Sequence, residues 1–352
     1  MINDLSELAD LGWSSHYIAQ LDPEDFDDLT PVRVIAVHRN GLDIVGAGIE
    51  ALVPPYSSGE TAEGIATVGD WLLLDPATML VRRMLDRKSL FKRRGAGTGR
   101  QLQLIAANVD TLFIVTSCNQ DFNVARLERY LALAREAGVT PVIVLTKADL
   151  TDTPEDFERA AARLMPALCV ETVDARNRES VERLAAWCGR GETIALVGSS
   201  GVGKSTLINT LTGAGAIATG GIRENDAKGR HTTSGRMLHR LPAGGWLLDT
   251  PGMRELQMTD VQSGIGDVFS DVVGIAESCR FRDCAHESEP GCAVNEAIAT
   301  GTLDSDRVRR WKKLVAEEAH NTATLAERRA REKSFGKMVK RIVKDKKRRR
   351  ED

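Results

Sequence analysis

The fold of this chain is decided by one octapeptide, Gly198-Ser199-Ser200-Gly201-Val202-Gly203-Lys204-Ser205, which follows an apolar run at residues 194–197. A glycine-rich turn between a buried strand and a helix lets backbone N–H groups wrap phosphate groups, and the helix N-terminus adds a favourable dipole. Lys204 would reach the β- and γ-phosphates of a nucleotide, and the Ser205 hydroxyl would bind Mg²⁺. Thr206 is a further candidate for contact with the nucleotide. The full match in this context favours a phosphate loop over a glycine turn without a ligand.

A guanine-reading motif, Thr146-Lys147-Ala148-Asp149, closes another apolar run before the phosphate loop. Guanine presents its N1–H and 2-amino donors side by side, and one carboxylate such as that of Asp149 can accept both. The aliphatic stem of Lys147 can lie against the base. The next predicted strand ends at Asp174-Ala175, where the backbone would contact guanine O6, although Asp174 departs from the usual serine.

The order of these two motifs is inverted relative to an ordinary GTPase, in which the phosphate loop comes first and the guanine motif comes late. Apolar runs predict buried parallel strands at residues 111–117, 141–146, 168–173, 193–198 and 246–249. With the helical patterns between them, these strands predict a doubly wound α/β sheet. We therefore predict a circularly permuted P-loop GTPase domain over residues 98–270, with further domains at both ends.

The segment after the phosphate loop carries the candidate switch residues. The stretch Asp249-Thr250-Pro251-Gly252 ends a predicted strand, so Asp249 would hold Mg²⁺ through water and Gly252 would donate its N–H to the γ-phosphate. In the preceding glycine-rich stretch, Thr233, which we prefer over Thr232, would complete the Mg²⁺ shell.

Hydrolysis is predicted to be slow in the isolated protein. Met253 stands where signalling GTPases place the glutamine that orients the attacking water, and a thioether is a poor hydrogen-bonding partner for water. His231 is the candidate for positioning this water, and the alternative is a histidine that lies on the surface or faces a partner. The candidate catalytic residues are therefore His231, Lys204 and Thr233.

A cluster of metal-ligating residue types follows the predicted GTPase domain: Cys279, Cys284, His286 and Cys292. Three thiolates and one imidazole form a closed tetrahedral set for a structural Zn²⁺, with no open position for chemistry. The alternative is a group of unrelated buried cysteines. The density of cysteines favours the metal.

The two ends of the chain differ from the middle in composition. Residues 1–30 are acidic and are interpreted as a loosely attached arm. Short strands without helices at residues 31–39, 42–47, 71–75 and 79–83 predict a small β-barrel over residues 31–97, for which an OB-fold is preferred to an SH3-like barrel or a meander. Residues 271–352 comprise the zinc-binding module and a basic helical tail.

Charge and composition narrow the class of protein. Residues 328–352 contain thirteen Lys or Arg and four acids, a net charge of +9, so the remaining chain carries −12 of the total of −3. A basic tail beside a small β-barrel favours contact with nucleic-acid phosphates. No apolar run approaches the roughly 18 residues of a membrane helix, and an acidic N-terminus is not typical of a secretory signal. We expect a cytoplasmic protein without a disulfide framework.

The combination of barrel, permuted GTPase domain and Cys/His cluster resembles the ribosome small-subunit-dependent GTPase A family of bacteria, also called YjeQ. The resemblance runs from about residue 31 nearly to the end, and the matching stretches are the phosphate loop, the Cys/His cluster and residues 111–117, 126–131 and 229–233. It implies a late assembly factor of the small (30S) ribosomal subunit, which binds near the decoding region and contacts 16S rRNA. The resemblance further implies GTP hydrolysis that is weak alone, is stimulated by the subunit and accompanies release of the factor.

The resemblance also carries residue roles and leaves two other functions open. By match, Lys204, Ser205 and Thr233 would hold phosphate and Mg²⁺, Asp149 would bind guanine, and His231 would serve hydrolysis. The expected ligands are GTP, Mg²⁺ and one structural Zn²⁺, and we expect a monomer. The alternatives are a GTP-regulated module for another RNA or a protein, and an ATP-using phosphoryl-transfer enzyme, against which the guanine motif at residues 146–149 argues.

Overall fold

The computed structural model describes residues 2–94, 102–213, 236–249, 258 and 260–322. The described residues before 250, together with 263–273, form one compact unit, and residues 258, 260–262 and 274–322 form a second. The predicted boundaries near residues 30, 97 and 270 stay predictions. In the part of the chain that is described, no helix is both long and apolar enough to cross a bilayer.

The described residues contain thirteen strands and eleven α-helices. The strands, in chain order, are β1 (Thr30–Val37), β2 (Leu42–Gly46), β3 (Ile49–Val53), β4 (Trp71–Asp75), β5 (Leu80–Met84), β6 (Leu90–Arg94), β7 (Leu102–Ala107), β8 (Thr111–Ser117), β9 (Thr140–Thr146), β10 (Cys169–Thr172), β11 (Thr193–Val197), β12 (Arg236–Arg240) and β13 (Trp246–Asp249). The helices are α1 (Ile2–Asp10), α2 (Ser15–Ile18), α3 (Pro23–Asp28), α4 (Val124–Glu136), α5 (Pro154–Ala162), α6 (Arg178–Val181), α7 (Lys204–Thr212), α8 (Gln262–Val268), α9 (Ser270–Ala276), α10 (Ala293–Ala299) and α11 (Ser305–Thr322).

Six strands form the α/β core in the order β10-β9-β8-β11-β13-β12, all parallel except β12. Every residue of β8 is buried, which is typical of a strand covered on both faces of a parallel sheet. The phosphate-loop strand β11 lies between β8 and β13 in the middle of the sheet. It is the fourth of the six core strands along the chain, after the strand that carries the guanine motif. The predicted α/β sheet of mostly parallel strands is therefore confirmed.

The topology brings the predicted motifs to one edge of this sheet. The guanine motif begins at the last residue of β9, the phosphate loop follows β11, and Asp249 is the last residue of β13. Because these strands are parallel, their carboxyl ends meet at the same edge, where open α/β sheets bind their ligands.

A second group of strands lies before the core. Strands β1 to β5 pair antiparallel in the order β3-β2-β1-β4-β5, and β6 pairs with β7 in a separate two-stranded sheet. Four of these strands were expected from the sequence, whereas β3, β6 and β7 were not. The first strand also pairs antiparallel with β12, at Ala36 with Met237 and Val37 with Arg236, so one sheet continues from β1 to β5 into the core.

The interpretation of the N-terminal segment as a loosely attached arm is wrong for the described residues. The segment buries four apolar side chains, those of Leu8 in α1, Leu11 and Trp13 in the turn that follows, and Tyr17 in α2, which is 0% exposed. The rings of Trp13 and Tyr17 stack with centroids 5.4 Å apart, and both contact the ring of Trp71 in β4. The acidic composition misleads because these four apolar side chains are buried, although Leu5 and Ile18 of the same segment are exposed.

The acids of this segment also have partners in the core. Asp10 pairs with Arg190 and Arg240, and its carbonyl oxygen accepts a hydrogen bond of 2.8 Å from the indole N–H of Trp246. These contacts join the N-terminal helices to β12, to β13 and to the turn before β11.

One buried cation connects the parts of the first unit. The guanidinium of Arg33 in β1 is 1% exposed and donates to the carbonyl oxygens of Leu11 (2.6 Å) and Asn108 (3.2 Å) and to the hydroxyl of Thr193 in β11 (2.8 Å). Burial lowers the pKa of Arg33, because desolvation disfavours its charged form. The three oxygen acceptors offset that cost.

We expect Tyr17→Ala to lower the free energy of unfolding by about 3–5 kcal/mol, because it deletes a fully buried aromatic side chain. Urea unfolding of the full chain measures this change. The control is Leu5→Ala in α1, whose side chain is 57% exposed, and we expect it to stay within about 0.5 kcal/mol of the parent. Equal stability of both variants would contradict the packed N-terminal segment.

Candidate functional site

The phosphate loop connects β11 to α7 through three glycines with positive φ. Gly198 has φ +148°, and a Cβ there would lie 2.2 Å from the carbonyl oxygen of Val115 in β8, a distance that no side chain tolerates. Gly201 and Gly203 have φ +79° and +95°, a conformation that glycine adopts without steric cost. The glycines of the motif are therefore required by the backbone path of the loop itself.

The lysine of the phosphate loop lies inside the loop. Lys204 is 9% exposed, and its ammonium donates to the carbonyl oxygen of Gly198 at 2.9 Å and to that of Ser199. These carbonyl oxygens stabilise the ammonium at the place where a bound nucleotide would offer phosphate oxygens. Ser205 follows in the first turn of α7 and is half-buried.

Two further side chains fasten this loop. The Oγ1 atom of Thr146, 0% exposed, lies 2.5 Å from the carbonyl oxygen of Val202 in the loop and 3.1 Å from that of Thr116 in β8. The guanidinium of Arg126 in α4 donates to the hydroxyl of Ser199. The Thr146 hydroxyl thus binds the protein backbone, and Arg126 is a contact to the loop that sequence reasoning missed.

A cavity of about 200 Å³ lies between the guanine motif and the phosphate loop. It is lined by Thr146, Lys147, Asp149, Leu150, Asp174, Ala175, Arg176, Gly203 and Thr206. Seven of these nine residues were candidates for nucleotide contact from the sequence, and Leu150 and Arg176 were not. Lys147 has φ +58°, a left-handed conformation that turns the chain directly after β9.

The carboxylate predicted to read guanine is paired in this structure. The Nη2 atom of Arg176 lies 2.6 Å from Oδ2 of Asp149, and its Nε lies 3.6 Å from Oδ1 of Asp174. The backbone of the same loop is held by α7, because the hydroxyl of Thr210 donates to the carbonyl oxygen of Ala175 at 2.7 Å. A charged residue two positions after a carboxylate at a strand end is a weak sequence signal, which explains why Arg176 was missed.

The predicted switch residues are placed only in part. Ala195 of β11 pairs with Leu248 of β13, so the backbone of Asp249 lies on the strand next to the phosphate-loop strand. The remaining predicted switch and catalytic residues lie outside the described residues: His231, Thr232, Thr233, Thr250, Gly252 and Met253. Their roles stay predictions. The basic tail at residues 328–352 lies outside the described residues too.

The second unit brings the four predicted metal ligands together. One ligand atom from each of Cys279, Cys284, His286 and Cys292 lies within 4.8 Å of the others. Nδ1 of His286 is 3.5 Å from Sγ of both Cys279 and Cys292, and these two sulfurs are 4.0 Å apart. Tetrahedral Zn²⁺ with ordinary bond lengths would separate an S–N pair by about 3.6 Å and an S–S pair by about 3.8 Å. The cluster therefore fits Zn²⁺.

The electrostatics of the cluster favour a divalent cation. Partial burial and then the charge of Lys312 lower the pKa of His286, which favours the neutral imidazole that a metal requires. Partial burial and the sulfurs of Cys292 and Cys279 raise the pKa of Cys284 to about 11, because a second thiolate beside a first is repelled. A bound cation would remove this repulsion.

The imidazole of this cluster is also positioned from outside. His286 adopts φ +55°, and its carbonyl oxygen accepts a hydrogen bond of 2.8 Å from the ammonium of Lys312 in α11. The ring of Trp311 lies with its centroid 5.6 Å from that of His286. Helix α11 thereby holds the ligand loop in place.

Comparison with known proteins places these features in one family. Residues 84–259 match the family described as RsgA GTPase. The small ribosomal subunit biogenesis GTPase RsgA of Mesorhizobium japonicum is 54% identical over 321 residues, which span 90% of this chain and 91% of that protein. The small ribosomal subunit biogenesis GTPase RsgA 2 of Vibrio parahaemolyticus is 48% identical over 349 residues, which span 99% of this chain and 96% of that protein.

Two solved structures share the fold. The crystal structure of YjeQ from Thermotoga maritima has a TM-score of 0.59 at 22% identity, and the match covers 82% of this chain and 98% of that one. The structure of YloQ, a circularly permuted GTPase, has a TM-score of 0.57 at 23% identity and covers 84% of this chain and 97% of that one. The predicted circular permutation is thereby confirmed.

We expect Cys279→Ser to lose most of the zinc that the purified parent chain carries, about one ion per chain, because it removes one ligand of a closed four-ligand site. Elemental analysis of the purified proteins measures zinc per chain. The matched control is Cys169→Ser, an exposed cysteine outside the cluster, which should keep the metal. Equal zinc content of the two variants would contradict the assignment.

Proposed function

Because this chain belongs to the RsgA GTPase family and is a GTPase, we propose that it is a late assembly factor of the small (30S) ribosomal subunit and that the subunit stimulates its hydrolysis of GTP. The observation that supports GTP as the substrate is the cavity between Asp149 and the phosphate loop. It connects Asp149, the proposed base-reading carboxylate, with the phosphate loop at the carboxyl edge of one parallel sheet.

The base would be recognised by residues at the ends of β9 and β10. Asp149 would accept hydrogen bonds from N1–H and the 2-amino group, which adenine does not present in this arrangement. The stem of Lys147 would cover one face of the ring. The backbone N–H of Ala175 would donate to O6, and Thr206 of α7 would lie on the phosphate side of the cavity.

The phosphates and Mg²⁺ would be held by the phosphate loop and the two switch segments. On nucleotide binding, the ammonium of Lys204 would exchange the carbonyl oxygens of its own loop for β- and γ-phosphate oxygens. Ser205 would ligate Mg²⁺ directly, Asp249 through water, and Thr233 only in the GTP state, while Gly252 would sense the γ-phosphate.

Hydrolysis would depend on a water-positioning group outside the phosphate loop. Met253 offers no useful hydrogen bond to the attacking water. We propose that His231 takes this role and becomes effective when the subunit orders the first switch. Such an arrangement would keep GTP intact until the factor has reached its target.

Contact with the subunit would come from the flanking parts of the chain. The pairing order β3-β2-β1-β4-β5 agrees with an OB-fold barrel, a fold that commonly binds nucleic acid. The zinc-binding module and the basic tail would add contacts to phosphates of 16S rRNA. We further propose that the protein acts in the cytoplasm as a monomer.

A second candidate function is a GTP-regulated binding module for another RNA or a protein. Met253 favours it, because a site without a water-orienting glutamine suits slow, incidental hydrolysis. The two functions differ in one measurable respect, namely whether small subunits accelerate turnover.

We expect Asp149→Asn to weaken GDP binding by at least tenfold and to improve binding of xanthosine diphosphate, whose 2-oxo group is an acceptor that an amide N–H₂ can satisfy. Titration with both nucleotides measures the exchange of preference. Asp152→Asn, a nearby exposed carboxylate that does not line the cavity, is the control. Unchanged preference in Asp149→Asn would rule out the proposed guanine contact.

We expect purified small ribosomal subunits to accelerate GTP hydrolysis strongly and His231→Ala to lose about a hundredfold of the stimulated rate, because a water-positioning group is removed. Steady-state phosphate release with and without subunits, at low and moderate salt, measures both effects. His16→Ala, in the N-terminal segment, is the control histidine. Tight GTP binding without stimulation by subunits would favour the regulated binding module.

A further inference from the structure

We propose that Arg176 sets the selectivity for guanine by holding the carboxylate of Asp149 in its base-reading orientation, through a bridge from Asp174 to Arg176 to Asp149. The inference rests on the proposed guanine site and adds a positioning residue to it. Arg176 lines the cavity, and its guanidinium reaches both carboxylates that stand at the ends of the two adjacent strands β9 and β10.

The arginine is fixed at both ends. Its backbone N–H donates to Oδ1 of Asp174 at 2.9 Å, and its Nε lies 3.6 Å from the same oxygen. The N–H of Asp174 in turn donates to the hydroxyl of Ser180 in α6 at 3.0 Å. Asp174 and Ser180 hold the backbone at the base of the Arg176 side chain, which restricts the rotamers that this side chain can adopt. Its Nη2 atom donates to Oδ2 of Asp149 at 2.6 Å.

Asp149 needs such a partner. It lies in the short 3-10 helix Ala148–Leu150, next to Leu150, which is 68% exposed, and this helix buries none of its side chains. Each carboxylate oxygen has two acceptor positions, so Oδ2 can keep the arginine on one side and still accept a donor from the base on the other. The planar guanidinium thereby fixes the plane of the carboxylate, which a base with two adjacent donors requires.

The bridge also offsets the negative charge of Asp174, which is a departure of this sequence from the usual guanine site. Asp174 stands where the usual guanine site has a serine, and its carboxylate would repel the acceptor O6 of guanine. The guanidinium of Arg176 offsets this charge while it orients the neighbouring carboxylate. Arg176 therefore makes an acidic residue at this position compatible with guanine.

The solvent exposure of Arg176 and Asp149 limits how much their ion pair can change nucleotide affinity. The side chain of Arg176 is 69% exposed and that of Asp149 is 29% exposed, and ion pairs between solvent-exposed side chains contribute about a twofold to fivefold change in an equilibrium constant. The bridge thus adjusts the preference for guanine and is not the main source of nucleotide affinity. Its effect must be larger with a base that uses both donors than with a base that uses one.

The experiment compares GDP with inosine diphosphate, which lacks the 2-amino group. In Arg176→Ala we expect the Kd of GDP to rise about threefold to fivefold and that of inosine diphosphate to rise less, so the preference for GDP falls. Both bases carry O6 beside Asp174, but only guanine presents the second donor. Arg176→Lys should restore part of it, because a point charge neutralises both carboxylates without fixing their plane. In about 1 M salt, which screens exposed pairs, the parent should approach the Arg176→Ala value.

The matched control is Arg178→Ala, two residues away, whose side chain lines a different cavity; it should bind both nucleotides like the parent. Equal weakening of GDP and inosine diphosphate by Arg176→Ala, tighter GDP binding, or no change would each overturn the proposal. Asp149→Asn in the same titration distinguishes a failure of the proposed guanine site from a failure of the Arg176 bridge. If it leaves the preference for GDP over xanthosine diphosphate intact, the guanine site itself is wrong; if only Arg176→Ala is silent, the site stands and the bridge fails.

Discussion

The first unit depends on one buried cation, the guanidinium of Arg33, which joins three segments that are distant in the chain. Its acceptors are carbonyl oxygens of Leu11 and Asn108 and the hydroxyl of Thr193. A buried cation without acceptors would be very costly, so these segments must arrive together with their oxygens in place. Since Thr193 begins the strand that leads into the phosphate loop, the N-terminal segment and β1 help to set where that loop lies.

Those parts of the site that depend on backbone chemistry could be predicted from the sequence. The glycines of the phosphate loop have the positive φ angles and close backbone approach that the motif requires, and the guanine motif lies at the end of β9 beside it. The same holds for the four metal ligands, because their residue types have few other reasons to cluster. Spacing and residue type sufficed wherever a ligand dictates the local structure.

Contacts between distant segments could not be predicted in this way. The sequence of the N-terminal segment predicts an acidic, loosely attached arm. Its Trp13 and Tyr17 instead contact the ring of Trp71, which lies far away in sequence. Arg126 and Arg176 likewise carry no local signal, because an arginine on a helix or after a strand is ordinarily a solvated side chain. Strand β3 was missed since two of its five residues are exposed and the apolar alternation is short.

The pairing of β1 with β12 has a consequence for how the protein unfolds. Strands β1 to β5 and the core strands are separate regions of the sequence, but they share one hydrogen-bonded sheet, and Arg33 of β1 bonds to Thr193 of β11. If these two sets of strands separate, the edges of β1 and β12 become unpaired, and Arg33 loses the Thr193 hydroxyl as an acceptor. We therefore expect strands β1 to β5 and the core to unfold together, and a fragment cut between them to present a bare strand edge prone to aggregation.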